Sequence, residues 1–311
     1  MSDSHKSHVK AEDLVIETIG ENQYVTIQGV RIRLARPYEL NFNYIGNRKL
    51  VNQLKAAWYS TSDTDHPMNP RLIGKPGVGK TVLAYAAARM IGLPVYFFQA
   101  TSDTLPNDVL INPVVVETGK EQSRVEYVAS ALITAMIVGG VIVFDEGNRM
   151  QEKAWASLAP LLDSRRYVES VTAGIVIRAH KNFRYVATMN EDASCFELPE
   201  YIKSRLQPQI LCEAPDKSEE RRILESNLPH AHPVVLDYVV DFLEAAHKEN
   251  EDLSVRDGVH IAHYAGKLID FESDSGRQMD PAEAVVLSVE QILGIKIARY
   301  IKQIIWKERA A

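Results

Sequence analysis

Cysteine is almost missing: Cys195 and Cys212 are the two in 311 residues. With a polar N-terminus that shows no secretory segment, this scarcity points to a reducing, cytoplasmic setting. Long apolar runs are absent as well. The longest candidate, Ala129–Phe144, is interrupted by Gly139-Gly140, so no membrane span is expected. There is no basic excess, since 35 Lys and Arg stand against 41 Asp and Glu for a net charge of -6. That argues against wholesale nucleic-acid binding, while leaving a local basic groove open. What remains is 46% hydrophobic and 24% charged, the balance of an ordinary globular protein. A chain of 311 residues is long for one core and suggests two domains, or one with a lid.

One stretch carries specific chemistry. Arg71-Leu-Ile-Gly-Lys-Pro-Gly-Val-Gly-Lys-Thr-Val-Leu-Ala84 places Gly74, Gly79, Lys80 and Thr81 at the fixed positions of G-x-x-x-x-G-K-[ST]. Glycines let backbone N–H groups turn inward around phosphate oxygens, Lys80 supplies a cation to the β- and γ-phosphates, and the Thr81 hydroxyl suits Mg²⁺. A strand-like lead-in at 71–73 and a strong helix pattern over Val82–Ile91 supply the context such a loop needs. Gly74, Pro76, Gly77, Val78, Gly79, Lys80, Thr81 and Val82 are the candidate nucleotide-binding residues here. A glycine-rich turn holding no phosphate is the alternative.

The second decisive stretch is Val141-Ile-Val-Phe-Asp-Glu146. Four apolar residues make a buried strand with two carboxylates at its C-terminal end, where open α/β sheets bind ligands. Asp145 is expected to hold Mg²⁺ opposite Thr81, and Glu146 to polarise the attacking water. Otherwise the pair merely supplies N-terminal charge to a helix expected over Lys153–Leu162. Phe183–Asn190 reads as a further buried strand ending in an amide. Asn190 would orient the water or touch the γ-phosphate, the ordinary alternative being a turn cap. Pro199–Leu206 reads as a short helix with Arg205 near its end.

Around these motifs the chain divides into three parts. Residues 1–40 read as a polar tail bearing His5 and His8, then a β-hairpin from Leu14–Ile19 and Tyr24–Leu34. Residues 41–213 hold the α/β core, with an insertion over Val109–Tyr127 of mixed charge, a helix over Val128–Ile137 and a hairpin over Tyr167–His180 turning at Ala173-Gly174. Residues 214–311 show helical periodicity alone, in four segments: Lys217–Leu228, Pro233–Lys248, Val255–Asp270 and Pro281–Arg309. His260 and His263 lie about a turn apart there without an evident third ligand, and read as a solvated or packed pair.

In order, the phosphate loop, Val-Phe-Asp-Glu-Gly-Asn-Arg149, Ala-Thr-Met-Asn190, Ser-Arg205-Leu and Ser254-Val-Arg256 resemble a MoxR-type AAA+ ATPase over about 43–268. The resemblance implies a P-loop AAA+ core with a mainly parallel sheet flanked by helices, followed by an all-α lid. It implies ATP and Mg²⁺ as cofactors and a ring, commonly a hexamer, with ATP between subunits. Arg205 would be the arginine finger, Asn190 the first sensor and Arg256 the second, with Ile45 and Gly46 on the adenine side. Members typically work beside a von Willebrand A-domain protein, here a separate chain because no Asp-x-Ser-x-Ser motif occurs. Two features depart from the pattern: Gly147 stands where an apolar residue is usual, and the Leu14–Leu34 hairpin has no counterpart.

The expected activity is therefore ATP hydrolysis coupled to remodelling a protein partner. The rival is a nucleic-acid motor or loader of the same fold. Glu117, Lys120, Glu121, Arg124 and Glu126 in the insertion, with Glu169, Arg178, Lys181 and Arg184 about the hairpin, mix both signs. Few aromatics lie between them for stacking on bases, which favours protein over nucleic acid. A nucleotide-bound scaffold that hardly turns over is a third reading, against which Glu146 argues.

Overall fold

A computed structural model describes residues 14–40, 44–62, 64–117, 123–191 and 196–310. His5, His8, Lys120, Glu121 and Cys195 lie outside them. In chain order the strands are β1 (Ile16–Ile19), β2 (Asn22–Ile27), β3 (Val30–Arg33), β4 (Arg71–Gly74), β5 (Val95–Gln99), β6 (Ile111–Glu117), β7 (Ser123–Ala129), β8 (Val141–Asp145), β9 (Tyr167–Ser170), β10 (Ile175–Arg178), β11 (Arg184–Asn190) and β12 (Gln209–Leu211). The helices are α1 (Arg48–Trp58), α2 (Lys80–Met90), α3 (Ala131–Val138), α4 (Glu152–Leu158), α5 (Glu200–Lys203), α6 (Lys217–Asn227), α7 (Pro233–Lys248), α8 (Val255–Asp274), α9 (Pro281–Leu293) and α10 (Arg299–Ala310). The chain forms two compact units, one of residues up to 41 with 49–74 and 80–211, the other of 42–48, 75–79 and 212–311.

The first unit is built on a parallel sheet in the order β12-β4-β11-β8-β5. Val141–Phe144 of β8 are all buried, as a strand covered on both faces must be, so its run of apolar residues does not alternate. Polar character can emerge only at the strand ends. Register then sets Gln99 beside Asp145 and Asn190 beside Gly74, making one polar row along the C-terminal edge. Behind that row Phe144 stacks on Phe98 (5.0 Å) and Tyr185 (5.9 Å) and tilts against Trp155 (5.6 Å). The buried Trp58 indole donates to the Tyr185 carbonyl at 2.9 Å. Gly147 has its reason here. A Cβ on it would lie 3.2 Å from the Trp155 ring, so the indole fills the space an apolar side chain would take.

Four expectations need correcting in this unit. The N-terminal segment makes three strands, because Gln28 and Gly29 both take positive φ (50° and 82°) and turn β2 back into β3. The 109–127 insertion is mostly strand: β6 and β7 pair with each other, and β7 pairs in parallel with β3, closing a second sheet β1-β2-β3-β7-β6. The helix expected from 128 begins at Ala131, since Val128 and Ala129 belong to β7 and the Ser130 hydroxyl caps the Ile133 N–H. The helix expected over 153–162 ends at Leu158. The β9–β10 hairpin turns through 171–174 with Gly174 at φ 66°.

Among its described residues the second unit has five helices rather than four. Gly294, at φ 92°, interrupts the last periodic stretch and separates α9 from α10. Val235, Val239 and Phe242 of α7, Ile261 of α8, Val285 and Val289 of α9 and Ile301 of α10 share one buried cluster. Asp216 and Asp280 cap α6 and α9 through the Glu219 and Ala282 N–H groups.

One carboxyl of this unit is buried. Glu220 is 2% exposed, and burial pushes its carboxyl up to about 7, helped by Asp216 and Glu244. The imidazole of His247 places its Nδ1 3.9 Å from the Glu220 carboxyl. Between its unfolded value near 4.5 and about 7, the folded state holds the proton that the unfolded chain has released, so stability falls as pH rises through that window. Glu220→Gln should therefore stabilise the chain at pH 8 by up to about 3 kcal/mol and change little at pH 4, as read from denaturant midpoints at the two pH values.

Candidate active site

The polar row gathers around Asp145. The Thr81 hydroxyl, one residue into α2, donates to Asp145 Oδ1 at 2.8 Å, and the Thr188 hydroxyl donates to the same oxygen. Thr188 is 1% exposed, and its oxygen also accepts the Glu146 N–H at 3.1 Å. One buried hydroxyl on β11 thus fixes the side chain of Asp145 and the backbone of Glu146. Lys80, 6% exposed, turns its ammonium onto the Gly74 carbonyl at 2.8 Å.

Glu146 leaves the strand in the left-handed region, at φ 51° and ψ 39°. A non-glycine residue there carries a backbone cost, which the bonds around it must offset. Its Oε1 accepts from the Asn190 amide at 3.0 Å, and its Oε2 accepts from the Gln99 amide at 3.0 Å and pairs with Arg149 Nε at 2.8 Å. Asn190 is itself held, because Asn148 Nδ2 donates to its carbonyl at 2.7 Å and Asn148 Oδ1 accepts its N–H at 3.3 Å. Three side chains, from β5, β11 and the turn after β8, therefore converge on one carboxylate.

The sequence-derived residues fall into three groups. Lys80, Thr81, Asp145, Glu146 and Asn190 come together with Gly74 on the first unit. Arg205 is also on that unit but elsewhere: its partners are Asp163 and the Tyr201 carbonyl, none of them in the Glu146 cluster. The remainder belongs to the second unit. There Lys75 pairs with Asp252 at 2.9 Å, and Gly77, at φ 81°, packs so closely on Ser254 that a Cβ would collide with the hydroxyl. The same Cβ would touch Arg256, which places Pro76-Gly77-Val78 and Arg256 in one neighbourhood. Ile45 and Gly46 lie in the same unit, with the Tyr44 phenol folded onto Gly46. Burial, then Glu219 and Cys212, push that phenol up to about 12.

Gln99, Asn148, Arg149 and Thr188 went unread in the sequence. Gln99 had a signal, being a polar residue directly after the apolar Val95–Phe98, as Asp145 follows Val141–Phe144. Thr188 had none, since a threonine inside a strand is ordinary.

This arrangement has relatives. Residues 71–206 match the AAA domain of the dynein-related subfamily. An uncharacterized protein of Staphylococcus aureus (strain USA300) is 29% identical over 139 residues, which is 44% of this chain and 52% of that protein. An uncharacterized protein of Staphylococcus epidermidis is 28% identical over the same shares. The chain thus spans about half the length of the curated relatives it matches. Among solved structures, the Thermotoga maritima RuvB Holliday junction branch migration motor superposes with a TM-score of 0.52 at 13% identity, covering 79% of this chain and 69% of that one. A RuvB point mutant gives 0.54 at 14% identity, covering 79% and 70%. At such identity the likeness concerns the fold, which is that of the RuvB AAA+ core with its helical C-terminal region. Among the described residues no helix is long and apolar enough to cross a membrane.

Thr188→Val keeps the shape of the side chain but removes the hydroxyl between Asp145 and the Glu146 N–H. It should cost about 1–3 kcal/mol of unfolding free energy in chemical denaturation, because a part-buried donor loses its acceptor.

Proposed function

We propose that this chain binds ATP with Mg²⁺ and hydrolyses it, as a MoxR-like motor that assembles into a ring and remodels a protein partner. The observation that carries the reading is the convergence on Glu146 beside the Thr81–Asp145 pair. A hydroxyl and a carboxylate are hard oxygen donors of the kind Mg²⁺ takes, and they meet where the phosphate-loop helix begins. Thr81 and Asp145 would hold the ion, which when bound neutralises charge on the phosphates. Lys80 supplies a further cation to the β- and γ-phosphates. Glu146 accepts a proton from water, and the amides of Asn190 and Gln99 with the Arg149 guanidinium keep its carboxylate in one orientation.

A ring accounts for Arg205. In its own subunit it engages Asp163 and Tyr201, whereas a guanidinium from a neighbour would complete the charge stabilisation around the γ-phosphoryl group. Arg256 would act as the second sensor, and Ile45 with Gly46 would line the base. A cytoplasmic location and a separate von Willebrand A-domain partner belong to the same reading. RuvB is a Holliday junction branch migration motor, and that description is RuvB's own. Here the net charge of -6 favours a protein client over nucleic acid.

Two variants separate the roles. Lys80→Ala should abolish binding of a fluorescent ATP analogue, whereas Glu146→Gln should bind it and lose turnover. Equal loss of affinity in both would sink these assignments. Arg205→Ala should bind ATP nearly normally and turn over roughly 10³–10⁵ times more slowly, the range seen for arginine fingers. Mixed with Glu146→Gln subunits it should regain part of its ATPase, because some interfaces then combine an intact Glu146 with an intact Arg205. Absence of recovery, with subunit exchange verified, would exclude action in trans. ATPase activity stimulated by DNA at physiological salt would instead favour a nucleic-acid motor.

A further inference from the structure

We propose that Asp163 is a positioning residue that aims Arg205 out of its own subunit, with Arg165 holding Asp163 in place. The inference rests on the reading of Arg205 as a finger, and its geometry is separate from the Glu146 cluster.

Arg205 is tied at two points. Its Nε donates to Asp163 Oδ2 at 3.2 Å and its Nη1 to the Tyr201 carbonyl at 2.6 Å. The Nη2 nitrogen donates to none of the described residues, so one end of the guanidinium fork remains available for a phosphoryl oxygen. The side chain is 28% exposed, so part of it reaches solvent. A lone surface arginine would spread over many rotamers, and ordering it only at the moment of reaction would cost entropy.

Asp163 is a rigid anchor for this purpose. Arg165 surrounds it, donating from its backbone N–H (3.0 Å) and Nε (3.0 Å) to Oδ1 and from Nη2 (2.8 Å) to Oδ2. The Arg165 guanidinium foremost, and Arg205 after it, hold the Asp163 carboxyl down at about 2, so the anchor stays charged at any working pH. Two guanidiniums share one carboxylate, and the cluster keeps a net positive charge, as an anion-seeking group requires.

The backbones bearing the pair are clamped to each other. Asn69 Nδ2 donates to the Leu162 carbonyl (2.9 Å), just before Asp163, and to the Arg205 carbonyl (3.4 Å). The buried Arg71 reaches the carbonyls of Lys203 and Leu206, on either side of Arg205, at 2.9 and 3.0 Å. Asn69 and Arg71 flank the start of β4, the strand that leads into the phosphate loop. The finger is thus referenced to the sheet that carries the site.

The test is a double-mutant cycle under single-turnover conditions. Asp163→Leu should leave affinity for a fluorescent ATP analogue within about threefold and slow turnover between about 10- and 100-fold, the cost of a misplaced group. In the Arg205→Ala background the same change should slow turnover no further, because Asp163 then has nothing to aim. Where Asp163→Leu fails to fold, Asp163→Asn carries the same cycle, since its amide oxygen still accepts the Arg165 N–H. Normal turnover in the single variant, or an equal loss in both backgrounds, would overturn the role of Asp163 while leaving Arg205 as a finger. Full turnover in Arg205→Ala alone would remove the finger reading and this inference with it.

Discussion

The shared oxygen of Asp145 is the point on which the site depends. β8 is buried on both faces, so a carboxylate is tolerable only at its last residue, and there it must be hydrogen-bonded. Thr81 and Thr188 meet that demand from two sides, one at the start of α2 and one inside β11. Because Thr188 also accepts the Glu146 N–H, the same bond network sets the path of the chain as it leaves the strand. Moving any of these three residues would move the other two.

The left-handed backbone of Glu146 follows from this anchoring. It turns the carboxylate back across the strand ends, where Gln99, Asn190 and Arg149 reach it. Three bonded partners offset the conformational cost and leave the group little freedom. Gly147 belongs to the same construction, since the indole of Trp155 lies where its side chain would be and ties the turn to the aromatic core. A resemblance in pattern would count Gly147 as an anomaly; the tight approach of the Trp155 ring gives it a packing reason.

The second sheet shows a different dependence. Val115 pairs with Val125 across β6 and β7, and both are exposed, so the hairpin does not rest on apolar burial along its length. Its anchoring comes from the base, where Tyr127 and Val128 pair in parallel with Ile32 and Arg33 of β3. Residues 16–33 and 111–129 lie far apart in the chain, yet each supplies strands that would otherwise be edges.

Much of the site was legible in local order. Gly74, Lys80 and Thr81 stand out because a phosphate loop would need glycines, a cation and a hydroxyl at fixed spacing. Asp145, Glu146 and Asn190 are recognisable because polar residues ending apolar strands collect at one edge of a parallel sheet. The helical second unit was equally plain from its periodicity, apart from the break at Gly294. What local order could not reveal was pairing. The insertion was legible only as a stretch of mixed charge, and only β3 makes β7 a strand inside a sheet. Thr188 looks ordinary until the fold sets its hydroxyl between Asp145 and the Glu146 N–H. Asp163 and Arg205 are 42 residues apart, and their contact exists because Asn69 and Arg71 clamp both backbones. The sequence by itself determined which residues have the chemistry, since that is a property of side chains and spacing. Tertiary structure alone decided which of them share an oxygen, because hydrogen bonds between distant segments are set by strand register and packing.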